Sequence, residues 1–215
     1  MKRYKRKYQE NYMEQVDDFI HKLSLVSKSG DCTNLYFGND IKSEIRRNNL
    51  RMYLSKMKNE NPYHLLLGEA PGYKGCRLSG IAFTSEGILS KNDFFAGEEV
   101  QFINDAKREN EISATIVWNE ISKLNKMPLI WNIYPFHPHL NDNVNTNRTP
   151  TQSELNEGKE ILKSLLYIFS IKKIIALGKK PHQQLHDIGI PFCYVRHPAN
   201  GGKDKFVQGI NKEII

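Results

Sequence analysis

Four short apolar runs constrain this chain more than any other feature: Leu65-Leu66-Leu67, Leu129-Ile130-Trp131-Asn132-Ile133, Ile174-Ile175-Ala176-Leu177 and Phe192-Cys193-Tyr194-Val195. Each is bounded by Gly, Pro or polar residues, and none alternates polar with apolar. Continuous runs of this length suit strands buried on both faces of a parallel sheet. Helical patterns lie between them. One covers Ile112 to Leu124. Another starts at Thr149, where Pro150 fits the first helical position and Gln152 completes a capping-box pattern, and runs to about Phe169 with Leu155, Ile161, Leu162 and Leu165 on its apolar side. A short helix begins at Lys179-Lys180-Pro181. Strands alternating with helices predict an α/β fold, a three-layer α/β/α sandwich with a central four-stranded parallel sheet.

The first 60 residues read as helical, with Val16, Phe19, Ile20 and Leu23 at helical spacing. A second helix is expected over Asp40 to Met57, with Ile41, Ile45 and Met52 on one side. Its Arg46, Arg47 and Arg51 read as a solvated face, with DNA contact as the alternative. The polar stretch Asn141 to Asn147 reads as a loop of the kind that is often mobile. No repeat or linker divides the sequence, so residues 1–215 are expected to form one domain with a helical N-terminal segment over about 1–60.

The formal net charge is +7, which favours an anionic partner such as nucleic acid, though only weakly on its own. Cys32, Cys76 and Cys193 lie far apart with no C-x-x-C pair, which argues against a zinc ribbon, an iron–sulfur cluster or a disulfide framework and fits a reducing cytoplasm. The basic start Met1 to Lys7 has no apolar stretch behind it, so no signal peptide is expected, and no run of about 18 apolar residues suggests a membrane span. No G-x-G-x-x-G, P-loop or G-x-S-x-G pattern occurs, which disfavours dinucleotide, P-loop and serine-hydrolase chemistry. His137 and His139 lack further ligands, so neither a metal nor another cofactor is expected. A monomer is the expected state, since no exposed apolar helix demands a partner.

In an open α/β sheet, ligands bind beyond the carboxyl ends of the strands. The polar residues of this sequence collect there. The first run leads into Gly68-Glu69-Ala70-Pro71-Gly72 and the second ends at Asn132, followed by Pro135-Phe136-His137-Pro138-His139. The third leads into Gly178-Lys179-Lys180 and the fourth into Arg196-His197-Pro198-Ala199-Asn200-Gly201-Gly202. Four such loops on one sheet edge predict a site.

Gly68-Glu69-Ala70-Pro71-Gly72, followed by Gly80-Ile81-Ala82-Phe83-Thr84-Ser85-Glu86, resembles the first motif and base-stacking loop of the uracil-DNA glycosylase superfamily. The pattern is nearest to the four-cysteine bacterial and archaeal branch, without that branch's iron–sulfur cysteines. Asn132 resembles the superfamily's pyrimidine-reading asparagine and His197-Pro198 its second motif, while Asn147-Arg148-Thr149-Pro150-Thr151 is similar to a uracil-DNA glycosylase-like bacterial branch. The resemblance spans roughly residues 30–215. It implies a monofunctional DNA glycosylase without lyase activity that flips uracil out of DNA. Glu69 would position or activate water, and His197 would donate to the base O2. Phe83 would stack on the base, Asn132 would read its edge, and Ala70 and Gly72 would line its pocket. Arg77, Gly178, Lys179, Asn200 and Lys203 would contact DNA. Strict uracil enzymes carry tyrosine where this sequence has Gly72, so the resemblance implies open space for a 5-substituent. Excision of a modified pyrimidine, for instance in defence against phage, is the alternative within the class, and a catalytically idle DNA- or nucleotide-binding module the alternative outside it. The loop Pro198 to Gly202 lacks the bulky apolar wedge of many members.

Overall fold

A computed structural model describes residues 2–104, 106 and 108–214, with side chains from residue 13 onward; the basic side chains of Lys2 to Lys7 lie outside the described residues. In chain order the elements are α1 (Lys2–Leu25), β1 (Cys32–Thr33), α2 (Ile41–Glu60), β2 (His64–Gly68), α3 (Cys76–Ser79), α4 (Glu86–Lys91), a 3-10 turn (Asp93–Phe95), α5 (Ile112–Ile121), β3 (Leu129–Asn132), β4 (His137–Pro138), α6 (Gln152–Ile168), β5 (Lys173–Leu177), α7 (Lys179–Gln183), β6 (Phe192–Val195) and α8 (Lys203–Ile214). Among the described residues no helix is long and apolar enough to cross a membrane.

The four apolar runs form the expected parallel sheet, in the order β3-β2-β5-β6. Leu66 of β2 lies in register with Ile130 on one side and Ile175 on the other. Leu65, Leu66, Leu67, Ile174 and Ile175 are fully buried, so helices cover both faces. The two sheet edges differ. At β3 the outward amide of Ile130 donates to the hydroxyl of Tyr53, 2.8 Å away on α2, and the Trp131 ring packs on Phe19 of α1. At β6 the edge is partly open, and Tyr194 is 43% exposed. The continuous-run reading holds for β2, β3 and β5 but overstates the burial of β6.

Several local expectations change. The buried face of α2 is Ser43, Arg46, Asn49, Leu50, Tyr53, Leu54 and Met57, whereas Ile41 is exposed. Polar side chains take the inner face because each finds backbone partners there. Asn49 donates to the carbonyls of Ser79 and Gln101, and Arg46 to those of Arg77 and Leu35. Arg47 donates to the carbonyls of Tyr36 and Gly38, and Arg51 pairs with Asp17. Arg46 and Arg47 therefore clamp the chain to itself, and only Arg51, in an exposed pair with Asp17, fits the solvated face. The cap of α6 also moves. Thr151 accepts from the amide of Glu154, and Glu154 accepts from the amide of Thr151. The carboxylate wins over Gln152 because it simultaneously holds both terminal guanidinium nitrogens of Arg148, at 2.8 and 2.9 Å. The loop from Asn141 to Asn147, read as mobile, is tied down. Asn145 and Asn147 accept from Arg77 and the amide of Tyr73, and the Val144 carbonyl faces His137. The two-residue antiparallel pair of β1 with β4 has no counterpart in the sequence reading.

Helix α6 lies directly on the backbone that leaves β3. A side-chain carbon at Gly158 would collide with the carbonyl oxygen of Ile133 and come within 2.9 Å of the Tyr134 Cα. Gly158→Ala is thus expected to lower stability by ~1–3 kcal/mol through overpacking, although alanine is intrinsically the better helix former by about 1 kcal/mol. Urea unfolding checks this: the midpoint falls at unchanged slope, and a raised midpoint would contradict the close approach.

Candidate active site

The four loops at the carboxyl ends of β2, β3, β5 and β6 enclose one cavity of about 780 Å³, lined among others by Glu69, Ala70, Gly72, Phe83, Asn132, Gly178, Lys179, His197 and Asn200. Of the expected site residues, Arg77 and Lys203 stand outside this lining. Arg77 is engaged by the Tyr73 carbonyl and Asn145, and Lys203 opens α8. Lys74, Lys179, Lys180, Arg148 and Arg196 line the cavity against the acids Glu69 and Glu111, so positive charge prevails around it.

The floor is set where β2 ends. A side-chain carbon at Gly68 would overlap the Phe83 ring and stand 2.6 Å from the Asn132 Oδ1. Glycine there lets the aromatic ring and the amide meet above the strand. Phe83 adopts φ +48°, a left-handed conformation that costs a bulky residue roughly 1–2 kcal/mol. The surrounding turn holds it there. Ser79 donates to the Thr84 carbonyl at 2.6 Å, Thr84 donates to that of Ala82, and Trp118 donates to the Thr84 hydroxyl at 3.1 Å. Phe83 is largely buried, yet it also lines the cavity, so the core and the pocket share this ring.

The loop after Gly68 is equally fixed. The amides of Ile133 and Tyr134 donate to the carbonyls of Gly68 and Glu69, and the buried His137 ring stands 2.8 Å from the Pro71 carbonyl. His137 and His139 thus support loops behind the cavity. Among the described residues no group of three or more His, Cys, Asp and Glu side chains is placed to hold a metal ion.

His197 lies across the cavity, its ring 5.7 Å from that of Phe83. The amide of Ala199 donates to its Nδ1 at 3.2 Å. A nitrogen that accepts carries no proton, so the neutral ring bears its proton on Nε2. Burial, reinforced by the neighbouring Arg196, brings the pKa down to about 4. At neutral pH the ring is therefore an uncharged donor of fixed tautomer. Burial raises the pKa of Glu69 above its ordinary value, partly countered by a hydrogen bond with Thr149 and the charge of Lys180.

Glu111 was not foreseen from the sequence. It stands at the N-cap of α5 without a side-chain capping bond, and turns its carboxyl group into the cavity wall. The space beside Gly72, expected to be open, holds this group: a side-chain carbon at Gly72 would lie 2.9 and 3.0 Å from its two oxygens. Burial raises its pKa as well, against an opposing hydrogen bond from Ser113. No motif flags such a residue, since its place depends on the segment before α5 reaching Gly72 and Gly75.

Comparison with known proteins agrees with this fold. No curated protein sequence matches the chain. Wild-type SMUG2 of Pedobacter heparinus, a crystal structure, superposes with a TM-score of 0.64 at 16% identity, over 92% of this chain and 97% of that one. This likeness establishes the fold, a four-stranded parallel sheet between helices. Residues 56–212 match the uracil DNA glycosylase superfamily. That stretch takes in all four strands of the sheet and every loop that builds the cavity's floor and walls, and the chain belongs to the uracil DNA glycosylase superfamily, a family of DNA glycosylases.

Proposed function

We propose that this chain is a monofunctional DNA glycosylase that hydrolyses the N-glycosidic bond of a flipped-out uracil and leaves an abasic site. The observation that carries the reading is the convergence of Phe83, Asn132, Glu69 and a tautomer-locked His197 on one cavity. A base in a duplex is out of reach, so it must be extruded, at a cost of a few kcal/mol. The positive rim suits the phosphates on either side. Phe83 stacks on the extruded ring. Asn132, with a donor and an acceptor on one amide, pairs with N3–H and O4. The Nε2–H of His197 donates to O2, where negative charge grows as the bond to the sugar breaks. Because the ring is already neutral and oriented, no proton transfer or reorientation precedes that step. Glu69, ionised, offsets the cationic sugar and orients the water that attacks it.

The direct test is a panel of oligonucleotides with one altered base each, treated with alkali after incubation. Strand cleavage at uracil is expected; binding without cleavage at any base would leave only the idle-module alternative. Borohydride should trap no protein–DNA adduct, because water rather than a lysine attacks the sugar. His197→Ala is expected to lose ~10²–10³ in kcat, the usual effect of removing one preorganised donor, with DNA affinity little changed. Near-normal turnover would remove His197 from the mechanism.

The pH profile follows from the two shifts. Glu69 must be ionised, and its pKa lies above the ordinary 4.5, so kcat/KM should fall as pH drops through that raised value. His197 stays neutral down to about pH 4, so it should add no loss as pH rises through 6–7. A decline across 6–7 in single-turnover rates would mean that the ring works as an imidazolium.

One observation favours the alternative within the class. The wall beside Gly72 is a carboxyl group rather than empty space or a blocking ring. A pocket with a polar group there is suited to a pyrimidine bearing a polar 5-substituent.

A further inference from the structure

We infer that Glu111 is a specificity-determining residue that hydrogen-bonds a polar substituent at the 5-position of the extruded base, making 5-hydroxymethyluracil a better substrate than thymine. The inference rests on the glycosylase reading above and on the pose it implies.

In that pose His197 holds O2 and Asn132 holds N3 and O4. C5 lies para to C2 on the ring, so it points away from His197, and it adjoins C4, so it sits on the side of the cavity that Asn132 reads. The first loop runs beside Asn132, tied through the carbonyls of Gly68 and Glu69 to the residues that follow β3. Gly72 of that loop contributes no side chain, and the Glu111 carboxyl group fills the space.

The arrangement is built rather than incidental. Gly75 also lacks the side chain that would collide with Glu111 Oε2. Two glycines thus yield room to one acid. Ser113 donates to Oε1 at 2.5 Å, which orients the group. Among the described residues Oε2 receives no hydrogen bond, and the carboxyl group lines the cavity. Burial raises the pKa, which brings the protonated form, a donor as well as an acceptor, within easier reach. A methyl group pressed on such a site would cover polar atoms without satisfying them. A hydroxymethyl group adds one oxygen, which can both donate and accept.

The experiment measures single-turnover excision of uracil, thymine and 5-hydroxymethyluracil in otherwise identical oligonucleotides. The wild-type rate ratio of 5-hydroxymethyluracil to thymine should be about 10–100, as for one hydrogen bond to a charged or buried acid. Glu111→Leu should bring that ratio down at least tenfold, and Glu111→Gln, whose amide still donates and accepts, should keep most of it. The wild-type ratio needs no variant to fold, and melting curves show whether the leucine variant is intact. A wild-type ratio near one, or a ratio unchanged in Glu111→Leu, would overturn the role of Glu111 while leaving the glycosylase reading standing. Absence of excision at all three bases would overturn both.

Discussion

The site hangs on the end of β2. This strand lies inside the sheet, flanked by β3 and β5, with Leu65, Leu66 and Leu67 sealed on both faces. Its direction and height are therefore set by packing on every side. Where the apolar run stops, Gly68 removes the one side chain that would separate Phe83 from Asn132. The ring comes from the turn after α3 and the amide from β3, and neither could meet the other if the strand between them carried a methyl group. The bonds from Ile133 and Tyr134 then carry the backbone of the first loop in step with β3, so that the Glu69 backbone inherits its position from the core, while its side chain is held by Thr149.

A division of labour follows among the buried polar groups. Tyr53 satisfies the free edge of β3, and Arg46 and Asn49 satisfy loop carbonyls near α3. Arg148 gathers the carbonyls of Asp31 and His139 to the start of α6. These groups meet each other's needs within the fold and leave the cavity to residues with hydrogen-bonding capacity to spare: Nε2 of His197, the amide of Asn132, and the carboxyl groups of Glu69 and Glu111, each bonded to one hydroxyl of the protein. Spare hydrogen-bonding capacity at a concave site is what a ligand can use.

The sequence made the sheet legible because strands buried on both faces leave continuous apolar runs that helices of this length do not. The order of loops on one edge, and with it the place of Glu69, Asn132 and His197, followed from the direction of a parallel sheet, whereas Phe83, which lies between α3 and α4, was marked only by the resemblance. What escaped has a common cause. The inner face of α2 is partly polar, so apolar spacing selected Ile41, which is exposed, over Arg46 and Asn49, which are not. The β1–β4 pair is two residues long and carries no period. The α6 cap turned on a competition between Gln152 and Glu154 that only the position of Arg148 decides. Glu111 lies about forty residues from the loop it touches, and nothing in its neighbours marks it. In each case tertiary partners, not local pattern, settled the outcome.

The contact between Gly72 and Glu111 has a historical side. Their side chains compete for one volume: a ring at 72 and an acid at 111 exclude each other in this backbone. A lineage passing between the two pockets would therefore meet a constraint on order, in which position 111 must shrink or swing away before position 72 can grow. Taken alone, position 72 would look immovable, although the pair is free to change in that order.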